Sequence, residues 1–576
     1  MSRKSPRRAA AAGVVVVVAS LTACAPGVPD TVVPDTTVTV GWTGEITSFN
    51  AAASPTRGNI DIAEATRSSF GDIVDGEFVP DESFGTVTIV SDIPFTARYD
   101  LAEPAWSDGI PLDAADLLLG WAAGSGLLAP EGETEDEDEA DLDDDAEVQE
   151  APIVPELDEF ARAIEVTSPE PTIGWQSAIE ASVPAHVVGG RAFGLDDAME
   201  AKQAVIRAIQ DEDDAALEAV GEAWTDTFDV TEVTDVPAYV RLSSGAYQVD
   251  GFTRDDDGQS VTLVPNPLYA GAATPQVARI DLVPMGDDGV SAIGGRIDVV
   301  QVAPTLQNRA IVDDFERRDN PVLTSHDGTV WTVLLRPTGV FAKPAARTAF
   351  LRTVPARDIV DRGAGGWASA YTATTSMLSA PGSPAYDIVN EDSGFASVLG
   401  TPSREPALER AAAGVAAGTS LCVLYDRGSE FAVGAFEALR DAVGAEGWNI
   451  VDCGTDDIVA EMDEPGWDAA ITRVSLPQTP AQIAAQWGSG SETSLIGDAD
   501  ADRDELITQL DQTVDVYEAR ELLARIESSI VRAAVARPFA VNPTVTVTDR
   551  AVTGVSVRSG PVAPLIHDLE QWAVVE

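Results

Sequence analysis

Residues 106–116 read Trp106-Ser107-Asp108-Gly109-Ile110-Pro111-Leu112-Asp113-Ala114-Ala115-Asp116. Gly109 and Pro111 predict a turn, and Asp113 stands where a helix cap belongs. Ala114, Leu117, Leu118 and Trp121 then recur at helical spacing. Before the turn, 85–92 (GTVTIVSD) and 95–101 (FTARYDL) alternate as strands. Two strands, a turn carrying a large aromatic, and a capped helix form one unit.

Outward from this unit the pattern stays mixed. An alternating strand is predicted at 37–42 (TVTVGW), a helix over 201–225, and strands at 278–285 and 330–337. The basic segment 344–362 is predicted helical, with Pro355 breaking it into two shorter helices. A strand at 420–425, an amphipathic helix from Phe431, the strand NIVDC and a helix at 519–534 follow. No fixed-period repeat occurs, so solenoids and propellers are excluded. A chain of 576 residues exceeds one core, and a mixed α/β fold of two or three domains is expected.

The N-terminus gives an address. Arg3, Lys4, Arg7 and Arg8 precede an apolar run too short to span a bilayer, and Leu21-Thr22-Ala23-Cys24 follows. The pattern resembles a bacterial lipoprotein signal over 1–23. The resemblance implies that Cys24 is lipidated and that 24–35 is a spacer. The protein is then expected at the extracytoplasmic face of the cell membrane, held there by its lipid anchor alone.

Composition excludes several functions. The formal charge is −59, with two lysines, Lys202 and Lys343, beyond the signal. Such a surface repels nucleic acid. His186, His326 and His567 are scattered, and no metal, phosphate-loop or serine-nucleophile motif is present. No catalytic residue, metal site or cofactor is expected. Residues 131–150 hold 13 acidic side chains in 20 and read as a disordered insert, without the glycine and final Glu of a calcium loop. Cys422 and Cys453 lie in strand-like runs flanking a helix. An exported compartment permits a bridge between them, and two buried thiols are the alternative.

The stretch around Trp106, Asp108 and Gly109 resembles the WSDGTPVTAADV signature of extracytoplasmic solute-binding proteins of the oligopeptide/dipeptide-type ABC transporters. Further matches follow in family order. Gly245-Ala246-Tyr247 with Asn266-Pro267-Leu268-Tyr269 resembles the family's S-G-P-Y…N-P-x-Y hairpin, and 295–300 (GRIDVV) its G-E-I-D segment. Residues 349–362, 381–387 and 467–470 resemble three later segments. The resemblance implies a periplasmic-binding-protein-like, two-lobe fold. Lobe I would comprise 36–80, 190–285 and 520–576, an accessory subdomain 81–189, and lobe II 286–519. It further implies a small-molecule or peptide ligand, ABC permease subunits as partners, and a monomer.

The likeness weakens at the cleft. In peptide-binding members a segment after the "D-a-a" strand supplies a tryptophan and an aspartate. Here 471–478 reads ITRVSLPQ, with neither, and carries Arg473. Thr472, Arg473, Ser475 and Gln478 are the candidate ligand contacts, with Tyr247 from lobe I; a salt-bridged surface residue at Arg473 and a core tyrosine at Tyr247 are the alternatives. A non-transport regulator or scaffold of envelope glycolipid assembly is the alternative on the same fold.

Overall fold

The computed structural model describes residues 27–575, apart from 75–76, 130–151, 159–161, 234–235, 257, 287–288, 498 and 562. Cys24 and the acidic stretch 131–150 lie outside the described residues.

A ten-stranded sheet runs through the molecule. Its order is Trp448–Asp452, Thr419–Tyr425, Ala469–Ser475, Val322–Leu335, Ala536–Thr548, Val299–Val302, Val33–Trp42, Val277–Pro284, Gly258–Pro265 and Tyr247–Asp255. The central pair, Val322–Leu335 and Ala536–Thr548, is antiparallel from Val322↔Val547 to Leu334↔Ala536. The chain passes between the halves of the sheet twice, after Val277–Pro284 and again after Ala536–Thr548. Asp298 ties the crossing to lobe I: its carboxylate accepts from Thr39 N at 2.7 Å and its carbonyl from Asp549 N at 2.6 Å.

The cores divide on either side. One buried cluster joins Val38, Val40, Ile280 and Leu282 with Trp572 near the C-terminus. A second surrounds Trp331, Phe350, Phe431 and Phe539. A third, holding Trp467, Trp487 and Ile526, covers the other face of the second half. The arrangement is a two-lobe, mixed α/β fold.

A second sheet, in the order Gly85–Asp92, Phe95–Leu101, Ala163–Ser168, Glu156–Asp158, carries the accessory region. Its Phe95, Tyr99 and Leu117 pack in the same cluster as lobe I, so apolar burial fuses the two. The helix Val516–Ala533 places Leu522, Ile526 and Ile530 in the third cluster, with Leu334 and Trp467. Its apolar face is therefore covered by lobe II strands, not by the lobe I core that the division at 520 implies. The accessory region also touches lobe II, where Ile173 N donates to Asp511 O at 2.8 Å.

The 106–116 turn shows why its residue types are needed. Asp113 caps the helix Ala114–Gly124 in a capping box with Asp116. Asp116 is 1% exposed and accepts from Trp106 Nε1 at 3.1 Å, Ala185 N at 2.8 Å and Lys202 Nζ at 2.7 Å. Lys202, itself 1% exposed, also lies 3.1 Å from Asp113. Burial opposes its charge, and the two carboxylates outweigh that and raise its pKa. Asp108 accepts from Ile110 N at 3.0 Å and pairs with His186 Nε2 at 2.9 Å, and Gly109 turns the chain at φ +91°.

Local differences from the sequence expectation have simple causes. The 201–225 helix is two, Ala198–Gln210 and Asp214–Asp226, because Asp213 caps the second. The 344–362 segment is two helices, Pro344–Leu351 and Ala356–Ala364, meeting at Pro355 as the sequence predicts. Cys422 and Cys453 form a disulfide, with Cα atoms 5.6 Å apart. Thr419–Tyr425 and Trp448–Asp452 are parallel neighbours joined by the helix Glu430–Ala445, and the bridge closes this β-α-β unit.

Candidate functional site

Arg473, Thr472 and Ser475 lie on the strand Ala469–Ser475, which pairs with the central strand Val322–Leu335. Arg473 is half exposed, and its Nη1 lies 3.0 Å from Asp327 Oδ2. Asp327 also accepts from Asn542 Nδ2 at 2.6 Å, Thr329 N at 3.0 Å and Thr329 Oγ1 at 2.6 Å. Asn542 Oδ1 in turn accepts from Trp331 Nε1 at 2.9 Å. Trp331 stacks on Phe431 at 4.4 Å, Phe431 on Tyr371 at 4.8 Å, and the Arg473 guanidinium sits 5.8 Å from the Trp331 ring centre. This polar and aromatic cluster ties the two central strands to the strand Ala469–Ser475. Burial raises the Tyr371 hydroxyl's pKa, and Arg473 opposes the rise.

Of the other expected contacts, Gln478 is engaged locally through its side chain and Ser475 only through its backbone. Gln478 Nε2 donates to Leu476 O at 3.1 Å, and its backbone N donates to Gln482. Ser475 offers its carbonyl to Gln486 Nε2 at 3.1 Å. Thr472 Oγ1 reaches only the Arg473 carbonyl, at 3.5 Å.

Tyr247 does not face a cleft. It is fully buried in the lobe I core, and its hydroxyl donates to Val277 O at 3.1 Å. Strand alternation decides this, since Tyr247 points inward while its neighbour Ala246 lines a cavity. The hairpin motif positions that wall. Gly245 passes so close to the end of the helix Arg57–Thr66 that a Cβ would stand 2.8 Å from Arg67 N. Asn266 Nδ2 donates to Gly245 O at 2.9 Å, and Asn266 Oδ1 accepts from Leu268 N at 3.1 Å; between the two, Pro267 continues the turn to Tyr269, another lining residue.

The cavity has a volume of about 460 Å³. Its walls come from the end of the helix Arg57–Thr66, the hairpin Gly71–Val74/Glu77–Pro80, and residues 556–558 and 567–570. The segment that carries Arg558 also reaches the lobe II strand Val322–Leu335, where Gly560 N donates to His326 O at 2.9 Å. The cavity is lined by lobe I residues, next to this contact.

Its lining is acidic. Glu64, Asp72, Asp81, Asp568 and Glu570 face Arg67 and Arg558. Arg67 is engaged with backbone carbonyls, including Ser182 O and Leu242 O, both at 2.6 Å. Arg558 is bracketed by Glu64 Oε1 at 3.1 Å, Asp568 Oδ1 at 3.3 Å and Asp72. Burial pushes the Glu64 carboxyl up to about 7, against the pull of Arg558. Burial likewise raises Glu570, while the hydrogen bond from His567 holds Asp568 below the usual carboxylate range. His567 is 2% exposed; its Nδ1 lies 3.0 Å from Asp568 Oδ2, and its Nε2 has no hydrogen-bond partner among the described residues. Among those residues no His/Cys/Asp/Glu group has the geometry of a metal site.

Sequence reasoning missed this cavity. Its groups come from opposite ends of the chain, and with 95 acidic residues no pair stands out.

Comparison with known proteins matches the geometry at the level of fold. No family model matches the chain. An uncharacterized lipoprotein of Mycobacterium tuberculosis is 26% identical over 484 residues, covering 78% of this chain and 77% of that one. One of Mycobacterium leprae is 27% identical over 296 residues, 50% of this chain and about half (48%) of its own length. Among solved structures, a periplasmic EDTA-binding protein superposes with a TM-score of 0.73 at 19% identity, over 97% of this chain and 100% of that one. An ABC transporter substrate-binding protein of Listeria monocytogenes gives 0.69 at 15%, over 94% and 99%. The oligopeptide-binding protein of Bacillus subtilis, solved with a nonapeptide, gives 0.59 at 12%, over 94% and 99%. The fold is that of the two-lobe ABC solute-binding proteins. Among the described residues no helix is long and apolar enough to cross a membrane.

Proposed function

We propose that the protein is a lipid-anchored extracytoplasmic binding protein. It captures a small polar solute or peptide between its lobes and delivers it to the permease subunits of an ABC importer. The observation that carries this reading is the two-lobe fold, with a cavity of about 460 Å³ in lobe I next to a contact with the lobe II strand Val322–Leu335. A cavity of that size suits a small ligand, and two chain crossings between lobes are the kind of connection about which lobes close. The work is capture and release, without bond chemistry. Residues 36–285 with the C-terminal segment from 549 act as lobe I plus accessory region, and 290–547 as lobe II. The protein acts as a monomer.

The lipoprotein names of the mycobacterial relatives support anchoring through Cys24. Cys24→Ala should abolish fatty-acid labelling and release the protein; equal labelling of both forms contradicts it. A thermal-shift screen over short peptides, oligosaccharides and compatible solutes tests binding, because a ligand of the native state raises its stability by mass action. A shift with at least one class is expected, and no shift across the library contradicts the reading. That outcome favours a scaffold of envelope glycolipid assembly, for which the internally paired 471–478 segment is the supporting observation.

A further inference from the structure

Resting on the reading that the lobes open and close about their two chain crossings, we infer that the turn Thr172–Trp175 is a releasable clasp. It reaches from the accessory region to lobe II and holds the lobes together, with Ile173 as its catch.

The turn is built to present one side chain. Trp175 N donates to Thr172 O at 3.3 Å, and Gly174, the third residue, takes φ +74° and ψ 10°. A positive φ at that position is the mark of a type II turn, which needs glycine there and puts Ile173 at the tip. Behind the tip the chain is fixed to the accessory region. Tyr99 donates its hydroxyl to Trp175 O, and the Trp175 ring lies edge-on to Phe95 with centres 6.1 Å apart. Tyr99 and Phe95 belong to the core that the accessory region shares with lobe I, so the tip moves with lobe I.

Lobe II supplies the receptor. The helix Ala501–Asp511 ends at the contact, and the last carbonyls of a helix have no partner within it. Ile173 N donates to one of them, Asp511 O, at 2.8 Å. The Ile173 side chain packs against the third core cluster, which holds Leu506 and Leu510 of the same helix. Thr172 and Gly174 on either side are exposed, while Ile173 is half-buried. Such a contact can be undone. When the lobes part, water satisfies both the amide and the carbonyl, so the hydrogen bond costs little to break. The apolar side chain supplies the bias, about tenfold in favour of the joined state for a half-buried isoleucine.

A second contact between the lobes is of a different kind. Gly560 N donates to His326 O at 2.9 Å, and His326 N donates to Ser559 Oγ at 3.3 Å. A Cβ on Gly328 would stand 2.3 Å from Pro561 N. Close backbone packing suits a pivot, whereas a single side chain inserted at a helix end suits a catch.

The test reads lobe separation in the full-length chain with no ligand added, so it can fail while solute binding stands. Spin labels are placed at Glu170→Cys and Val514→Cys, two exposed positions close in sequence to Ile173 and Asp511. The bridged Cys422 and Cys453 take no label, and Cys24→Ala removes the remaining thiol. Pulsed electron paramagnetic resonance should find a short-distance population from the clasped form. Ile173→Ala should lower its ratio to the separated form about tenfold. Ile173→Leu should retain it, and Val90→Ala, at an exposed position of the accessory sheet, should leave it unchanged. Urea midpoints check that each variant is folded, and Ile173→Val replaces Ile173→Ala if that variant is not. No short-distance population with Ile173 in place, or one that Ile173→Ala leaves unchanged, overturns the clasp. The solute-binding reading falls separately, on a null result across the ligand library.

Discussion

Arg558 Nη1 lies 3.1 Å from Glu64 Oε1, although nearly the whole chain separates them in sequence. The contact joins the first helix to the last descending segment and forms one wall of the acidic cavity. It sets Glu64 in competition between burial, which favours the proton, and Arg558, which favours the charge.

The first prediction concerns pH. Burial raises the Glu64 pKa to about 7. A raised carboxyl holds its proton more tightly folded than unfolded, so the Glu64 contribution to stability is present at low pH and is lost as pH rises from about 4.5 to about 7. The groups facing Glu64 are Arg558, Asp72, His567 and Asp568, with Glu570, Asp81 and Arg67 on the same wall. Glu64→Gln should flatten that part of the stability–pH curve, read from urea midpoints. Parallel curves for the wild type and the variant contradict this.

Glu527 gives a purely structural counterpart. It is fully buried and accepts from Ser376 Oγ at 2.8 Å, Met377 N at 3.0 Å and Leu378 N at 3.0 Å. Burial raises its pKa to about 7, against those hydrogen bonds. A raised carboxyl binds its proton more tightly folded than unfolded, so its contribution is present at low pH and is lost as pH rises from about 4.5 to about 7. Glu527→Gln should flatten that part of the stability–pH curve. Glu527→Ala leaves three donors unfilled and should cost about 2–4 kcal/mol in urea unfolding.

Lys202 tests the 106–116 motif. Lys202→Met leaves Asp116 buried with its charge unpaired, and should destabilise the fold by about 3–5 kcal/mol. Lys343→Met, whose ammonium makes no ion pair among the described residues, should change the urea midpoint little. Equal effects contradict the role assigned to the Asp116–Lys202 pair.

The disulfide makes a fourth prediction. Cys422 and Cys453 close a loop with a sequence separation of 31. Loop-closure entropy gives about 3–4 kcal/mol for such a loop, so Cys422→Ser with Cys453→Ser should lower the urea midpoint accordingly. Ellman titration of the unfolded, unreduced wild type should find neither thiol. Two free thiols contradict the bridge.

These cases show what the sequence makes legible. Helix caps and turns are local, so the turn at Gly109, the cap at Asp113 and the break at Pro355 could be read directly. The neighbouring strands of Cys422 and Cys453 could be read as a β-α-β unit, though not their bridge. Tyr247 was misplaced because one residue of strand register separates a core position from a cavity wall. Arg473 could be named but not its partner, since Asp327 stands on a different strand. The cavity was invisible for a stronger reason. Glu64, Asp72, Arg558 and His567 acquire meaning only when the first and last parts of lobe I fold together.

The central claim is that a solute is captured between two lobes that close on it. Small-angle X-ray scattering of the full-length protein, alone and saturated with the best-binding probe, tests it most directly. The account predicts a smaller radius of gyration at saturation, and an unchanged radius with binding complete contradicts it.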